Sequence, residues 1–179
     1  MLLRGPCLAL SGGRVVQSAG PYVPGTIANG GEGADPSWID TANVAASDDS
    51  KATVTIASGQ TSQSLRCTNF GASIPATATI VGVQVAVERS ASDADSVSDG
   101  AIQLIIGGSP TGDDKDAAGA WPTSDATATY GGSGDLWGLA ITQAQAVAAD
   151  FGVSIKATGT AGLPTARIDL VQITVYYTA

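Results

Sequence analysis

The chain has 179 residues, of which 44% are hydrophobic and only 13% charged, and it carries a formal net charge of −8 with a sequence pI near 4.1. That size and apolar content suit one domain with its own core and exclude disorder of the whole. The acidity argues against phosphate backbones and anionic membrane surfaces as partners, and no apolar run reaches the roughly 18 residues of a transmembrane helix.

Residues 1–35 stand apart from the rest. Gly5, Gly12, Gly13, Gly20, Gly25, Gly30, Gly31 and Gly33, with Pro6, Pro21 and Pro24, break any periodicity. Arg4, Gly5 and Pro6 also interrupt what would be the apolar stretch of a signal peptide. The segment is expected to be an extended arm. Its apolar residues Leu2, Leu3, Leu8, Leu10, Val15, Val16, Tyr22, Val23 and Ile27 are too numerous for a solvated tail, so the arm is expected to dock on a neighbouring subunit.

The body, residues 36–179, reads as strands. Residues 51–57 place Ala52, Val54 and Ile56 on one face, and residues 63–69 form a second short strand. Over residues 80–90, Val81, Val83, Val85 and Val87 alternate with Gly82, Gln84, Ala86 and Glu88, the period of a strand with one buried face. Residues 90–100 are rich in Ser and Asp and read as a loop. A strand follows over 101–106, then a long irregular excursion over 107–130 and a glycine turn over 131–134. Residues 142–150 are the one credible helix, with Thr142 and Gln145 spaced as a capping box. Phe151, Val153, Ile155 and Ala157 alternate in a further strand. The last strand, residues 166–177, carries Ile168 and Leu170, then Val171, Ile173 and Val175, apolar on both faces as in a central strand. Six to eight strands with long connections predict an all-β, two-layer β-sandwich, jelly-roll-like or Greek-key, with one short helix and an N-terminal arm.

Little in this chain points to catalysis. Histidine is missing, which removes the commonest general base, the usual Ser and Cys activators and most zinc sites. Glu88, Arg89, Arg167 and Asp169 are expected to form cross-strand ion pairs or to face solvent rather than to flank a cleft. Three acidic groups, Asp93 with Asp95 and Asp99, Asp113 with Asp114 and Asp116, and Asp48 with Asp49, have the oxygen chemistry of calcium loops. None fits an EF-hand, and solvated loops are the plainer reading. Cys7 and Cys67 are either a disulfide, which geometry would decide, or two small thiols. Trp121 and Trp137 flank the glycine-rich loop that holds Tyr130. Exposed, these rings would be a platform for sugars; buried, they would plug a long loop onto the sandwich edge.

Several stretches carry a resemblance. They are Trp38 with the Ala-rich residues 43–49, NFGASIPATATIVGVQVAVERSA at 69–91, WPTSDATATYGGSGDLWG at 121–138, FGVSIKA at 151–157 and ARIDLVQITVYY at 166–177. Together they resemble a β-sandwich domain of tailed-phage virion structural proteins, over roughly residues 36–178. The resemblance implies a virion location, no catalytic residues and no cofactor. Its partners would be the major capsid protein or other virion proteins, and further copies of itself, with a homotrimer as the expected symmetry. A capsid cement or decoration protein fits first. The alternative is a tail-fibre, spike or tail-tip component that binds a host glycan through Trp121, Tyr130 and Trp137.

Overall fold

The computed structural model describes residues 14–31 and 33–179. Among these residues ten strands form two antiparallel sheets: β1 Val16–Tyr22, β2 Thr26–Asn29, β3 Ala52–Thr55, β4 Leu65–Thr68, β5 Thr79–Ala91, β6 Val97–Ile106, β7 Ser109–Thr111, β8 Ala126–Gly131, β9 Gly152–Gly159 and β10 Thr165–Thr178. One sheet has the order β1-β10-β5-β8, with β3 also on β10; the other has the order β2-β4-β9-β6-β7. The last eight strands pair as β3 with β10, β4 with β9, β5 with β8 and β6 with β7. This nesting is one long antiparallel hairpin rolled onto itself, so the sandwich is a jelly roll. The expected all-β, two-layer class holds.

The core lies between the sheets. Val83, Val85 and Val87 of β5 face Leu65, Val153, Ile155, Ile102 and Leu104 from the opposite layer, and all are fully buried. Two bulges set the phase of the central strands. The β5–β10 register slips between Tyr176 and Tyr177, opposite Gly82 and Ile80. Ile80 is therefore buried and Val81 only half-buried, against the simple alternation of the sequence. A second slip between Ile168 and Leu170 makes Asp169 the extra residue. Ala166 and Ile168 point inward before it, and Val171, Ile173 and Val175 after it. The two-faced apolar look of β10 is thus one buried face that changes phase, not a strand buried on both sides.

Part of the expected arm, residues 1–35, belongs to the sandwich. Val16–Tyr22 pairs with the second half of β10, and Thr26–Asn29 pairs with β4. Ala19 is buried, and Tyr22 and Ile27 pack against the core. The Tyr22 hydroxyl accepts the Ser73 N–H at 3.3 Å. Tyr22 and Ile27 are therefore sandwich residues, because β10 and β4 offer free edges that the Gly- and Pro-rich segment can complete. Val15, Val16 and Val23 remain exposed. Leu2, Leu3, Cys7, Leu8 and Leu10 lie outside the described residues.

Other elements also shift. The helix α1 spans only Gln143–Ala146, but its capping box is present: Thr142 Oγ1 accepts from Gln145 N at 3.2 Å, and Thr142 N donates to Gln145 Oε1 at 2.9 Å. β6 begins at Val97, inside the expected loop, and the excursion after Gly107 contains β7 and β8.

Since β1 and β2 complete both sheets, deletion of residues 1–13 should leave a cooperative urea transition. Deletion of residues 1–30 strips both strands and should abolish cooperativity, as followed by tryptophan fluorescence.

Candidate functional site

The densest polar cluster lies between the sheets where β5 turns into β6. Arg89 on β5 and Asp99 on β6 belong to different sheets and meet in a buried ion pair. Asp99 also accepts the Trp121 indole N–H at 2.8 Å, the Tyr130 hydroxyl at 2.9 Å and the Ala117 N–H at 3.0 Å. The Arg89 guanidinium lies 4.9 Å from the Trp121 ring centre and 5.7 Å from that of Tyr130. Burial pulls the Arg89 pKa below its usual value, and it pushes the Tyr130 hydroxyl up to about 12. A buried charge with this many donors is satisfied, and removing one partner of such a pair typically costs about 3–5 kcal/mol.

The loop after β7 is stitched across this end. Trp121 N donates to Val97 O and Ala91 N to Pro122 O, both at 2.7 Å. At one end of β8, Lys51 Nζ binds Asp125 Oδ2 at 2.7 Å, and Ser90 Oγ donates to Asp125 Oδ1 at 2.8 Å. Lys51 first, then Ser90, hold Asp125 below the usual carboxylate range. Beyond the other end, Asp135 accepts the Trp137 N–H at 2.8 Å and pairs with Lys115 at 3.1 Å; both lower its pKa. Trp137 itself donates its indole N–H to Val83 O at 2.9 Å. Gly131 has φ +68° there, and a Cβ on it would sit 2.3 Å from Val83 O and 2.5 Å from the Trp137 indole nitrogen, so no other residue fits.

These contacts decide several expectations. Trp121, Tyr130 and Trp137 are 1%, 4% and 0% exposed. They cannot offer ring faces to a sugar, because each is spent anchoring its loop. Arg89 does not pair across neighbouring strands but across the layers. Asp99 is turned inward, away from Asp93, whose carboxylate takes the Ser92 hydroxyl at 2.6 Å. Asp114 Oδ1 caps Ile102 N and Asp116 N at 2.8 and 3.1 Å, and Asp48 Oδ1 takes Ser50 N at 3.0 Å. Among the described residues, no three His, Cys, Asp or Glu side chains converge as a metal site would need. Cys67 is buried, and burial pushes its thiol pKa up; its proposed partner Cys7 lies outside the described residues. Arg167 reaches Ala91 O at 3.4 Å, and Asp169 Oδ2 accepts Asp49 N at 3.3 Å, leaving Asp169 Oδ1 buried without a partner. Glu88 is half-buried on β5, opposite Leu170 and Thr127.

A shallow groove that sequence reasoning missed crosses the outer face of the second sheet. Thr26, Ala28, Arg66, Thr68, Ile105 and Asp150 border a cavity of about 390 Å³. Its lining comes from β2, β4 and β6 and from residues just before β9, a convergence that no local pattern reveals.

No family model and no curated protein matches the chain. Three solved structures are similar to it. A CBM4 structure matches at 15% identity over 72% of this chain and 85% of its own, with a TM-score of 0.42. The N-terminal cellulose-binding domain of Cellulomonas fimi β-1,4-glucanase C matches at 16% identity over 69% and 76%, with a TM-score of 0.40. A chain of the cyanophage Pam1 capsid asymmetric unit matches at 15% identity over 99% and 93%, with a TM-score of 0.34.

Asp99→Ala should lower unfolding stability by about 3–5 kcal/mol, read from urea midpoints, because Arg89 is left charged and buried. Asp169→Asn, at a carboxylate with one oxygen already unpartnered, should cost far less. Folded Tyr130 keeps its proton up to about pH 12, whereas a free tyrosine loses it near 10.0. Its contribution is thus full below pH 10 and is lost as pH rises toward 12, and Tyr130→Phe should remove that alkaline step. Asp125 and Asp135 have lowered folded pKa values, so their contribution is present above about pH 3.8 and lost as pH falls below it.

Proposed function

We propose that the protein is a structural component of a tailed-phage particle, a cement or decoration protein on the capsid that works by non-covalent contacts and without catalysis. One observation carries this reading. Val15 and Val16 are 74% and 50% exposed and adjoin each other at the start of an edge strand. They continue in sequence from a leucine-bearing stretch, Leu2, Leu3, Leu8 and Leu10. Scattered exposed apolar residues are ordinary, but an adjacent pair at a sheet edge that continues an apolar stretch of sequence marks a contact surface.

The strand behind that run supports the role. β1 is hydrogen-bonded to β10, the longest strand, so a load applied at the first residues passes straight into the sandwich. The assembly arm of this reading is residues 1–16, not 1–35. Its partners are the major capsid protein or further copies of the chain. Few charges limit desolvation at such contacts, and weak contacts repeated over a shell add up to firm attachment. The resemblance of residues 36–178 to phage virion sandwiches points the same way. A tail-fibre glycan site could not use Trp121, Tyr130 and Trp137, since all three are buried.

A cryo-EM map of the intact particle tests the position: density on the outside of the head is expected, and density confined to the tail would overturn the cement role. In a re-addition assay, Val15→Asp with Val16→Asp should cut occupancy on particles at least about tenfold while leaving the urea midpoint unchanged. Full occupancy by that variant would count against attachment through residues 1–16.

A further inference from the structure

A sandwich has four outer strand edges, and each unpaired edge is a template for another strand. Three edges here are guarded, and β3, which shares the β1 side of the first sheet, is four residues long and bridged through Thr53 to Ile39. β1 contains Pro21, and its register with β10 slips between Ala19 and Tyr22. β2 has four residues, and β7 has three with Pro110 at its centre. Short length, proline and irregular register are the usual devices against edge pairing.

β8 has none of them. Ala126–Gly131 is six residues long, uncharged and free of proline, and it pairs with β5 without a break in register. Ala126, Thr127, Thr129 and Gly131 are exposed. The backbone of Ala126–Gly131 makes no hydrogen bond to the described residues other than those with β5. Alternate residues of an antiparallel strand turn their N–H and C=O groups away from the neighbour, so that row has no backbone partner among the described residues. The adjoining loop closes the mouth of the sandwich through Asp99 and does not pair with β8.

We infer that β8 is a self-association edge, pairing antiparallel with β8 of a second copy about a two-fold axis normal to the sheet. The occupant follows from symmetry and charge. Rotation about that axis keeps each side chain on its own face, so opposed residues must have the same parity. Centring on Ala128 sets Thr127 opposite Thr129 of the second copy, and the reverse, which gives two cross-strand Thr–Thr contacts on the solvent face. Ala128 then faces Ala128, with no bulk to separate the strands. The acidic residues flanking β8 do not repel their counterparts, because Asp125 is held by Lys51 and Asp135 by Lys115. The contact joins two five-stranded sheets into one, and it is an isologous contact. Six residues make a weak interface in dilute solution.

Sedimentation velocity of the full chain over a concentration series tests this. The wild type should show a concentration-dependent dimer. Thr127→Lys with Thr129→Lys sets like charges opposite each other and should weaken self-association at least about tenfold. Both side chains are exposed, so the urea midpoint should be unchanged. Mixing that variant with Thr127→Glu, Thr129→Glu chains should restore a mixed dimer. A wild type that stays monomeric throughout, or a lysine variant that associates as well as the wild type, would overturn the inference, as would failure of the mixture to pair.

Discussion

The Arg89–Asp99 pair is the contact on which one whole end of the sandwich depends. It joins the two layers where β5 leaves one sheet and β6 enters the other. Hydrophobic burial alone would let the layers slide or rotate, since it has no direction. A buried guanidinium and carboxylate have direction, and they tolerate burial only when every lone pair is used. Asp99 meets that demand with donors from three further places: the loop at Ala117, Trp121, and Tyr130 on β8. The requirement to satisfy one charge therefore fixes the long loop and the path of β8 together.

The other organising constraint is β10, which pairs with β5 along its length and with both β1 and β3 on its opposite side. A strand of 14 residues in a twisted sheet must bend, and the slip at Asp169 is where it does so. That bend divides the strand into the part that takes β3 and the part that takes β1. The phase change of its apolar residues is the same event seen in sequence. The unpartnered Asp169 oxygen sits at this slip, where the ladder is interrupted.

How much was legible follows from where each signal is stored. β5 and β10 carry their own alternation, so their existence and class could be read directly. The Thr142–Gln145 capping box is local, and it was legible even though the helix is one turn long. β8 was not, because Ala, Thr, Ala, Thr has little apolar contrast, and its place is dictated by β5. β1 and β2 were hidden by glycine and proline, which edge strands accept and central strands do not. Asp99 looked like one more loop acid. Its role depends on Arg89 ten residues before it, and on Trp121 and Tyr130 at 22 and 31 residues after it. No short-range pattern encodes such a convergence. The aromatics were rightly singled out, but sequence could not say whether their faces were covered.

The geometry of the first sheet links these points to assembly. Its order, β1-β10-β5-β8, puts Val15 and Val16, at the start of β1, on one outer edge and the unguarded β8 on the other. An apolar run that meets a different surface is a heterologous contact, whereas β8 against β8 is isologous. The two proposed contacts, one of each kind on opposite edges of one layer, would hold a unit to another surface on one side and to its own copy on the other. Neither contact draws on the polar groups of the mouth, which are consumed in holding the layers together. Contacts at the edges can thus change without loosening the core.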